Sequence, residues 1–353
     1  MKAAVYRGKD QLLVEEVPRP ECGPGELLVR VDACGVCPTD IKKIQKGLLP
    51  PPRIFGHEIA GQVAAVGRGV SRFREGQRVV LHHHVPCGTC FYCRRHSYAQ
   101  CAFYKQNGTT AGFEPAGGGM AEYVRAMDFI VDRGVIEVPD GVLPEEAVFV
   151  EPVNTCLKAV QRAGIEKGES VLVVGQGPIG LLLLQLARWA GARTLSSDTM
   201  PDRLEASRAL GAEVALDATA GDVPGEVRRL TEGRGADCTL LAAVGPAAFA
   251  QAVEATRPGG RVMVFSATSA GETAVVELGL LCVAEKTILT SYSSSPDIQE
   301  LSARLVFSRE INVRPLVTHQ LPLARAKEAI ELAARPTPGV LKVVVRMNGD
   351  GPA

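Results

Sequence analysis

The chain has 353 residues, enough for about two domains of roughly 150 residues each. Lys plus Arg and Asp plus Glu both total 39, so the chain lacks the basic surplus that nucleic acid or an anionic membrane surface attracts. The most apolar run, 179–184, is far too short to span a bilayer. Residues 2–6 open as a charged strand rather than as a secretory signal. These features predict a cytosolic protein with no nucleic-acid or membrane partner.

In chain order, residues 1–150 carry short β-like runs at 27–31, 58–66, 77–81 and 135–138. Gly23-Pro24-Gly25, Pro50-Pro51-Pro52 and Gly117-Gly118-Gly119 punctuate them. The pattern predicts an irregular β-rich domain. Near Pro144 the texture changes. A strand over 171–174 precedes a helix over 178–190, and a strand over 193–197 precedes a helix over 201–210. Further strands are expected over 237–241, 261–266 and 287–291. Alternation at this spacing predicts right-handed βαβ crossovers and a doubly wound parallel sheet. The tail is mixed, with helices over 298–308 and 324–334 and a strand over 340–345. That strand resembles those of the first half, so the tail is expected to rejoin the first domain, with the parallel-sheet domain inserted.

Ten cysteines in a long chain without a signal peptide point to metal ligands or buried thiols rather than disulfides. Cys87, Cys90, Cys93 and Cys101 lie within fifteen residues, in C-x2-C-x2-C steps followed by seven residues. Thiolates at that density can wrap one tetrahedral Zn²⁺. A closed four-sulfur shell leaves no open position, so this zinc is expected to be structural. Cys22, Cys34, Cys156, Cys238 and Cys282 read as small core residues. Cys34 and Cys37 also form a C-x2-C pair, but without the context of a redox dithiol.

Gly175-Gln176-Gly177-Pro178-Ile179-Gly180 follows a predicted strand and opens a predicted helix, the context a dinucleotide-binding loop requires. Gly175 permits the tight turn, Gly177 lets backbone approach a pyrophosphate, and Gly180 lets helix pack closely on strand. The start of the helix at Pro178 and Ile179 supplies an anion-stabilising dipole. Asp198, eighteen residues after Gly180, is placed to hydrogen-bond the adenosine ribose and to repel a 2′-phosphate. It favours NAD over NADP. Arg203 is close enough to blur that preference and otherwise reads as a helix-surface arginine.

Cys37-Pro38-Thr39-Asp40 and Gly56-His57-Glu58 supply a thiolate and an imidazole, a mixed set suited to a catalytic zinc with an open position. The stretch from Gly56 to Gly61, with Gly67 and Val70 beyond, resembles the signature of zinc-containing medium-chain dehydrogenases. The Cys-x-Thr-Asp run and the four-cysteine lobe occur in that family in the same order, so the resemblance covers essentially the whole chain. It implies an α/β fold: a GroES-like β-rich catalytic domain, 1–152 plus 292–353, with an inserted Rossmann domain, 153–291, and a structural-zinc lobe at about 87–101.

The resemblance also implies roles. Cys37 and His57 are expected to ligate the catalytic zinc, with Glu151 of Glu151-Pro152 as third ligand, as in the sorbitol and threonine dehydrogenase branch. Glu58 is either an exchanging ligand or a carboxylate beside the metal, and Asp40 orients His57. Thr155 and Lys342 match positions that contact the nicotinamide side and the cofactor phosphates. The implied chemistry is hydride transfer from a carbinol carbon to nicotinamide, with zinc as Lewis acid and Thr39 accepting the hydroxyl proton. Lys42 stands where many relatives carry a relay histidine, and is either a relay group or a solvated charge. Pro38 stands where some relatives hold cofactor phosphate with a basic residue.

Consecutive strand residues alternate faces, so His82, His83 and His84 are expected to be surface residues at a strand end. His96 and His319 are expected to be structural, and Cys156 to be packing. Together these readings predict an NAD-dependent dehydrogenase with two zinc ions per chain, acting on a small alcohol or polyol such as sorbitol or L-iditol. The family implies a homo-oligomer, tetramer or dimer. Alternatives are an L-threonine 3-dehydrogenase, a butanediol or simple alcohol dehydrogenase, a zinc-free quinone reductase, and a zinc-binding interaction protein that has lost its chemistry. The last two predict degraded Cys37, His57 or Glu151, all of which are intact.

Overall fold

The computed structural model describes residues 1–106, 117–243, 245–265 and 271–347. Two compact units emerge. One comprises Met1–Pro152, Ser294–Arg309 and Val313–Ala353; the other comprises Val153–Ser293 with Glu310–Asn312.

The first unit holds β1 (Lys2–Gly8), β2 (Gln11–Glu16), β3 (Leu27–Gly35), β4 (Arg53–Ile54), β5 (Glu58–Val66), β6 (Arg78–Leu81), β7 (Tyr123–Ala126) and β8 (Val135–Glu137). The second contributes β9 (Ser170–Val174), β10 (Arg193–Asp198), β11 (Val214–Asp217), β12 (Ala236–Leu241), β13 (Thr256–Val264) and β14 (Thr287–Thr290). The chain then returns to the first unit with β15 (Val317–Pro322) and β16 (Lys342–Arg346). The return follows from pairing: β16 lies antiparallel on β3, deep in the first sheet.

In the first unit, β2-β1-β4 form a small sheet, and β15-β16-β3-β5-β6-β8 form a larger one, with β7 also on β3. β3 is buried almost throughout, as a central strand requires. Its apolar residues join Val5, Phe55, Ile59, Met120, Ile130 and Val345 in one core cluster. Register matters here. Glu58 on β5 and Val344 on β16 both stand opposite Gly35 on β3.

In the second unit the sheet order is β11-β10-β9-β12-β13-β14 with every pairing parallel. Strand order therefore reverses between β9 and β12, the switch point where doubly wound sheets bind ligands. Every residue of β9 is buried, so its apolar run meets helices on both faces. Leu172, Leu195, Val227, Leu241 and Val262 are among its core residues.

Five strands, β2, β4, β7, β11 and β15, escape the sequence patterns. β2 buries only Leu12 amid polar and charged neighbours, β11 is half-buried, and β15 is an edge strand with mixed exposure. The expected strand over 261–266 begins earlier, at Thr256, while Ser266 lies outside the described residues. No helix among the described residues is long and apolar enough to cross a membrane.

Candidate metal centres and dinucleotide site

Three clusters among the described residues bring potential ligand atoms within 4.8 Å of one another: Cys87, Cys90, Cys93 and Cys101; Cys37, His57 and Glu58; and His83, His84 and Glu151.

In the cysteine lobe, Cys93 Sγ lies 3.5 Å from Cys90 Sγ and 3.9 Å from Cys87 Sγ. Four sulfurs at about 2.3 Å from a tetrahedral ion stand about 3.8 Å apart, so the spacing fits zinc. The amide and hydroxyl of Thr89, with the Cys90 amide, lower the Cys87 thiol and favour the thiolate that a metal needs. His96 and Tyr98 tie the lobe to Asp297, at 3.0 Å and 2.9 Å. His96 takes a structural place, as expected.

The second cluster is built by β3, β5 and the helix Pro38–Lys46. Cys37 is the residue before that helix, with extended backbone and Pro38 in the first turn. Gly56 has φ +100, and a Cβ there would press on Cys34 Sγ at 2.6 Å and on Met120 N at 3.0 Å. Only glycine presents His57 in this way. Asp40 is fully buried, its Oδ2 3.2 Å from His57 Nδ1. Burial opposes charge on the His57 ring, but Asp40 and Cys37 outweigh it and hold the imidazole well above its usual range. With Nδ1 facing Asp40, Nε2 is the nitrogen left for a metal. Thr39 is exposed on the same helix turn, and Lys42 is half-buried one turn on.

Glu58 Oε2 forms an ion pair with Lys342 Nζ, which also donates to Val36 O at 3.0 Å. Both side chains are almost wholly buried. A Cβ on Gly35 would overlap Glu58 Oε2 and reach Lys342 Cε at 3.0 Å, so this glycine leaves the space in which the pair sits. Lys342, which the resemblance places toward the cofactor phosphates, has its ammonium buried against a carboxylate at the metal cluster. Gly35 was not singled out from sequence at all. Its signal is a glycine two residues before Cys37 at the end of a strand.

Glu151 lies beside His83 and His84 and within electrostatic reach of His57, Glu58, Lys342 and Asp40. Its Oε1 lies 3.6 Å from His84 Nε2. Burial pushes its carboxyl up to about 7; His57 pulls it back and Glu58 adds to the rise. The expectation of surface histidines is overturned: His82, His83 and His84 are 1%, 8% and 6% exposed. β6 ends at Leu81, so strand alternation no longer governs them, and the Val85 amide donates to His83 O at 2.9 Å in a tight bend. The bend brings the ring centroids of His83 and His84 to 3.8 Å, with the planes tilted by 43°, and sets His83 5.1 Å from His57. Burial takes His82 down to about 4 and His83 well below the usual imidazole range.

In the second unit, Gly175 follows β9 with φ +86, and a Cβ there would press on Ala243 Cβ at 2.5 Å. A Cβ on Gly180 would overlap Gly175 O, while the nearest atom to one on Gly177 is Arg203 Nη1 at 3.8 Å. Gly177 caps the helix Pro178–Trp189, with Pro178 and Ile179 in its first turn. The loop therefore keeps its middle glycine open for an anion. Asp198 ends β10 and accepts from the Gln176 amide at 2.5 Å and the Met200 amide at 2.9 Å. Arg203 Nη1 stands 4.0 Å from its carboxylate. Thr155 is half-buried on the helix Val150–Ala163, and Cys156 is buried with its Sγ 4.0 Å from Ile179 O.

Residues 23–140 match the alcohol dehydrogenase GroES-like domain, and residues 178–307 match the zinc-binding dehydrogenase domain. Sorbitol dehydrogenase of Bacillus subtilis (strain 168) is 30% identical, covering 99% of this chain and 98% of its own. L-Threonine 3-dehydrogenase of Pyrococcus abyssi is 32% identical over 91% of both. Among solved structures, a protein assigned as a zinc-binding dehydrogenase from Sinorhizobium meliloti 1021, bound to NADP, superposes with a TM-score of 0.88 at 30% identity, covering 98% of each chain. The chain belongs to the zinc-containing medium-chain dehydrogenase/reductase family, in its sorbitol and threonine dehydrogenase-like branch.

Proposed function

We propose that the chain is a zinc-dependent dehydrogenase that oxidises a secondary alcohol of the polyol class, such as sorbitol or L-iditol, with NAD as acceptor. The observation that carries this reading is the Cys37–His57–Glu58 cluster, a half-buried thiol beside a buried imidazole and carboxylate, with Asp40 behind the imidazole. Its sulfur, nitrogen and oxygen donors fit a zinc ion that keeps one position open. A dehydrogenase relative acting on sorbitol supports the substrate class.

Bound zinc would supply Lewis acidity toward an alcohol oxygen, and bound NAD the hydride acceptor. Cys37 and His57 hold the metal, with Glu151 as the third ligand and Glu58 as the carboxylate within reach. Asp40 fixes the His57 tautomer and ring orientation. Lys342 balances the Glu58 charge and holds that side chain in place. Thr39, exposed two residues after Cys37, takes the substrate proton and passes it to solvent. The Gly175–Gly180 loop and the helix start at Pro178 hold the pyrophosphate, and Asp198 accepts from the adenosine ribose. Arg203, near Asp198, is the residue through which NADP would gain entry. Thr155 is assigned to the nicotinamide side, and the four-cysteine lobe to a structural zinc.

We extend the reading to a homo-oligomer, tetramer or dimer, in the cytosol, where ten free cysteines stay reduced. The second reading, L-threonine 3-dehydrogenase, is favoured by relatives of that activity at similar identity. A panel of polyols, diols, simple alcohols and L-threonine, offered to zinc-loaded protein with NAD and with NADP and followed by nicotinamide absorbance, separates them. Fastest turnover on a polyol with NAD is expected; L-threonine as best substrate selects the second reading, and no reduction with any substrate rejects both.

A further inference from the structure

We propose that the four-cysteine lobe is a metal-dependent latch on the chain where it re-enters the first unit: zinc in the lobe holds His96 and Tyr98 against Asp297, and its loss frees residues 291–298. The proposal rests on the assignment of the lobe to a structural zinc. The chain passes from the second unit back to the first between Ser293 and Ser294. Upstream, within the second unit, Lys158 Nζ donates to Tyr292 O at 2.9 Å and Arg162 Nε donates to Thr290 O at 3.1 Å. Ser293 has φ +64, a left-handed conformation that persists only where the surroundings enforce it. Downstream, within the first unit, Asp297 Oδ1 accepts from the Tyr98 hydroxyl at 2.9 Å, and its Oδ2 meets His96 Nδ1 at 3.0 Å. The Tyr98 hydroxyl also lies 2.9 Å from His96 Nδ1, so the three side chains close a triangle.

The latch is spliced onto the metal ligands. His96 and Tyr98 lie between Cys93 and Cys101; the His96 amide donates to Cys93 O at 3.0 Å, and the Cys101 amide donates to Tyr98 O at 2.9 Å. His96 ends the short turn Cys93–Arg95 in a left-handed conformation, φ +55. Of residues 87–101 only Cys93, Ala99 and Cys101 are buried, while Phe91 and Tyr92 are exposed. Two of those three are ligands. The lobe therefore has no apolar core to hold this turn, and metal binding supplies its folding energy. The latch bonds are themselves exposed, and one such pair shifts an equilibrium by no more than about fivefold. They are weak enough to release once the lobe loosens, yet three together hold the crossing in one arrangement.

The test is hydrogen exchange on the zinc-loaded full chain, read by mass spectrometry, with zinc counted in the same samples. Cys87→Ser/Cys90→Ser should lose one zinc ion and speed exchange over 291–298 by about tenfold, the factor by which local opening rises, while β3 and β9 keep their wild-type rates. Asp297→Ala touches no ligand. It should keep the zinc count and the slow exchange of residues 87–101, yet speed 291–298 to the same extent. Added to the cysteine pair it should change nothing further, because both remove one latch. One zinc lost with 291–298 as slow as in wild type overturns the latch. So does an Asp297→Ala effect of equal size with and without the lobe zinc, and so does a rise spread equally over β3 and β9, which is general loosening. If the cysteine variant does not fold, Asp297→Ala decides alone, and wild-type exchange over 291–298 overturns the proposal. A folded cysteine variant with the wild-type zinc count rejects the structural zinc itself, and the latch falls with it. None of these readouts depends on turnover or on the substrate.

Discussion

Glu58 and Lys342 close a buried ion pair over Gly35, although 284 residues separate them in the chain. Each charge is held by the other inside a low-dielectric core, and the pair borders Cys37 and His57. Removing Lys342 leaves a buried carboxylate uncompensated, at a cost of about 3–5 kcal/mol. Lys342→Met should therefore destabilise metal-free protein by about that amount, and zinc-loaded protein by less, because a bound cation would replace the lost charge. Thermal unfolding with and without zinc measures both. Equal losses in the two states would show that Glu58 does not face the metal.

Gly35→Ala probes the same pair by volume. The added methyl overlaps the Glu58 carboxylate, and overpacking of this kind costs about 1–3 kcal/mol. Turnover should fall more than stability does, because the displaced side chain is the carboxylate within reach of the metal. Wild-type kcat in a variant of reduced stability would separate Gly35 from the site.

Glu146 gives a pH signature independent of any metal. Burial pushes its carboxyl up, but hydrogen bonds from Arg314, Arg309 and the Leu143 amide outweigh this and hold it at about 2. A folded-state value below the ordinary 4.5 adds stability above that ordinary value, and this is lost as pH falls toward about 2. Glu146→Gln should cost about 1.5–3 kcal/mol at neutral pH, the range for hydrogen bonds to a charged group. The gap from wild type should narrow as the pH drops from about 5 toward 2. Denaturant unfolding across that range reads it, and a gap independent of pH contradicts the assignment.

Asp198 tests cofactor preference. Asp198→Ala removes the carboxylate that would repel a 2′-phosphate and frees Arg203 to approach one. The ratio of kcat/KM for NADP over NAD should rise about tenfold or more, each tenfold being about 1.4 kcal/mol. The Gln176 and Met200 amides also lose their acceptor, so activity with NAD should fall as well. An unchanged ratio would remove Asp198 from the ribose site.

Features written in local spacing were legible in the sequence. The cysteine steps from Cys87 to Cys101 and the glycine loop from Gly175 to Gly180 fall together in space because their residues are already close along the chain. Strands with a clear apolar pattern, such as β9, were legible for the same reason. β2, β11 and β15 carry too little buried alternation to stand out. The histidine run was misjudged because strand geometry was carried past Leu81, where the chain bends. Glu151 could be named, but the side it faces depends on where that bend sends His83 and His84. The partnership of Glu58 with Lys342 exists only through the shared register on Gly35, which no local pattern announces.

The central claim is hydride transfer from an alcohol carbon to nicotinamide, and a deuterium label follows it directly. Zinc-loaded protein is given NAD and a secondary alcohol deuterated at its carbinol carbon, and the reduced cofactor is isolated and examined by mass spectrometry and NMR. The account predicts one deuterium at C4 of the nicotinamide, and none when Cys37 is replaced by Ser. Reduced cofactor carrying solvent hydrogen instead of the label, or full labelling by the Cys37→Ser variant, would contradict it.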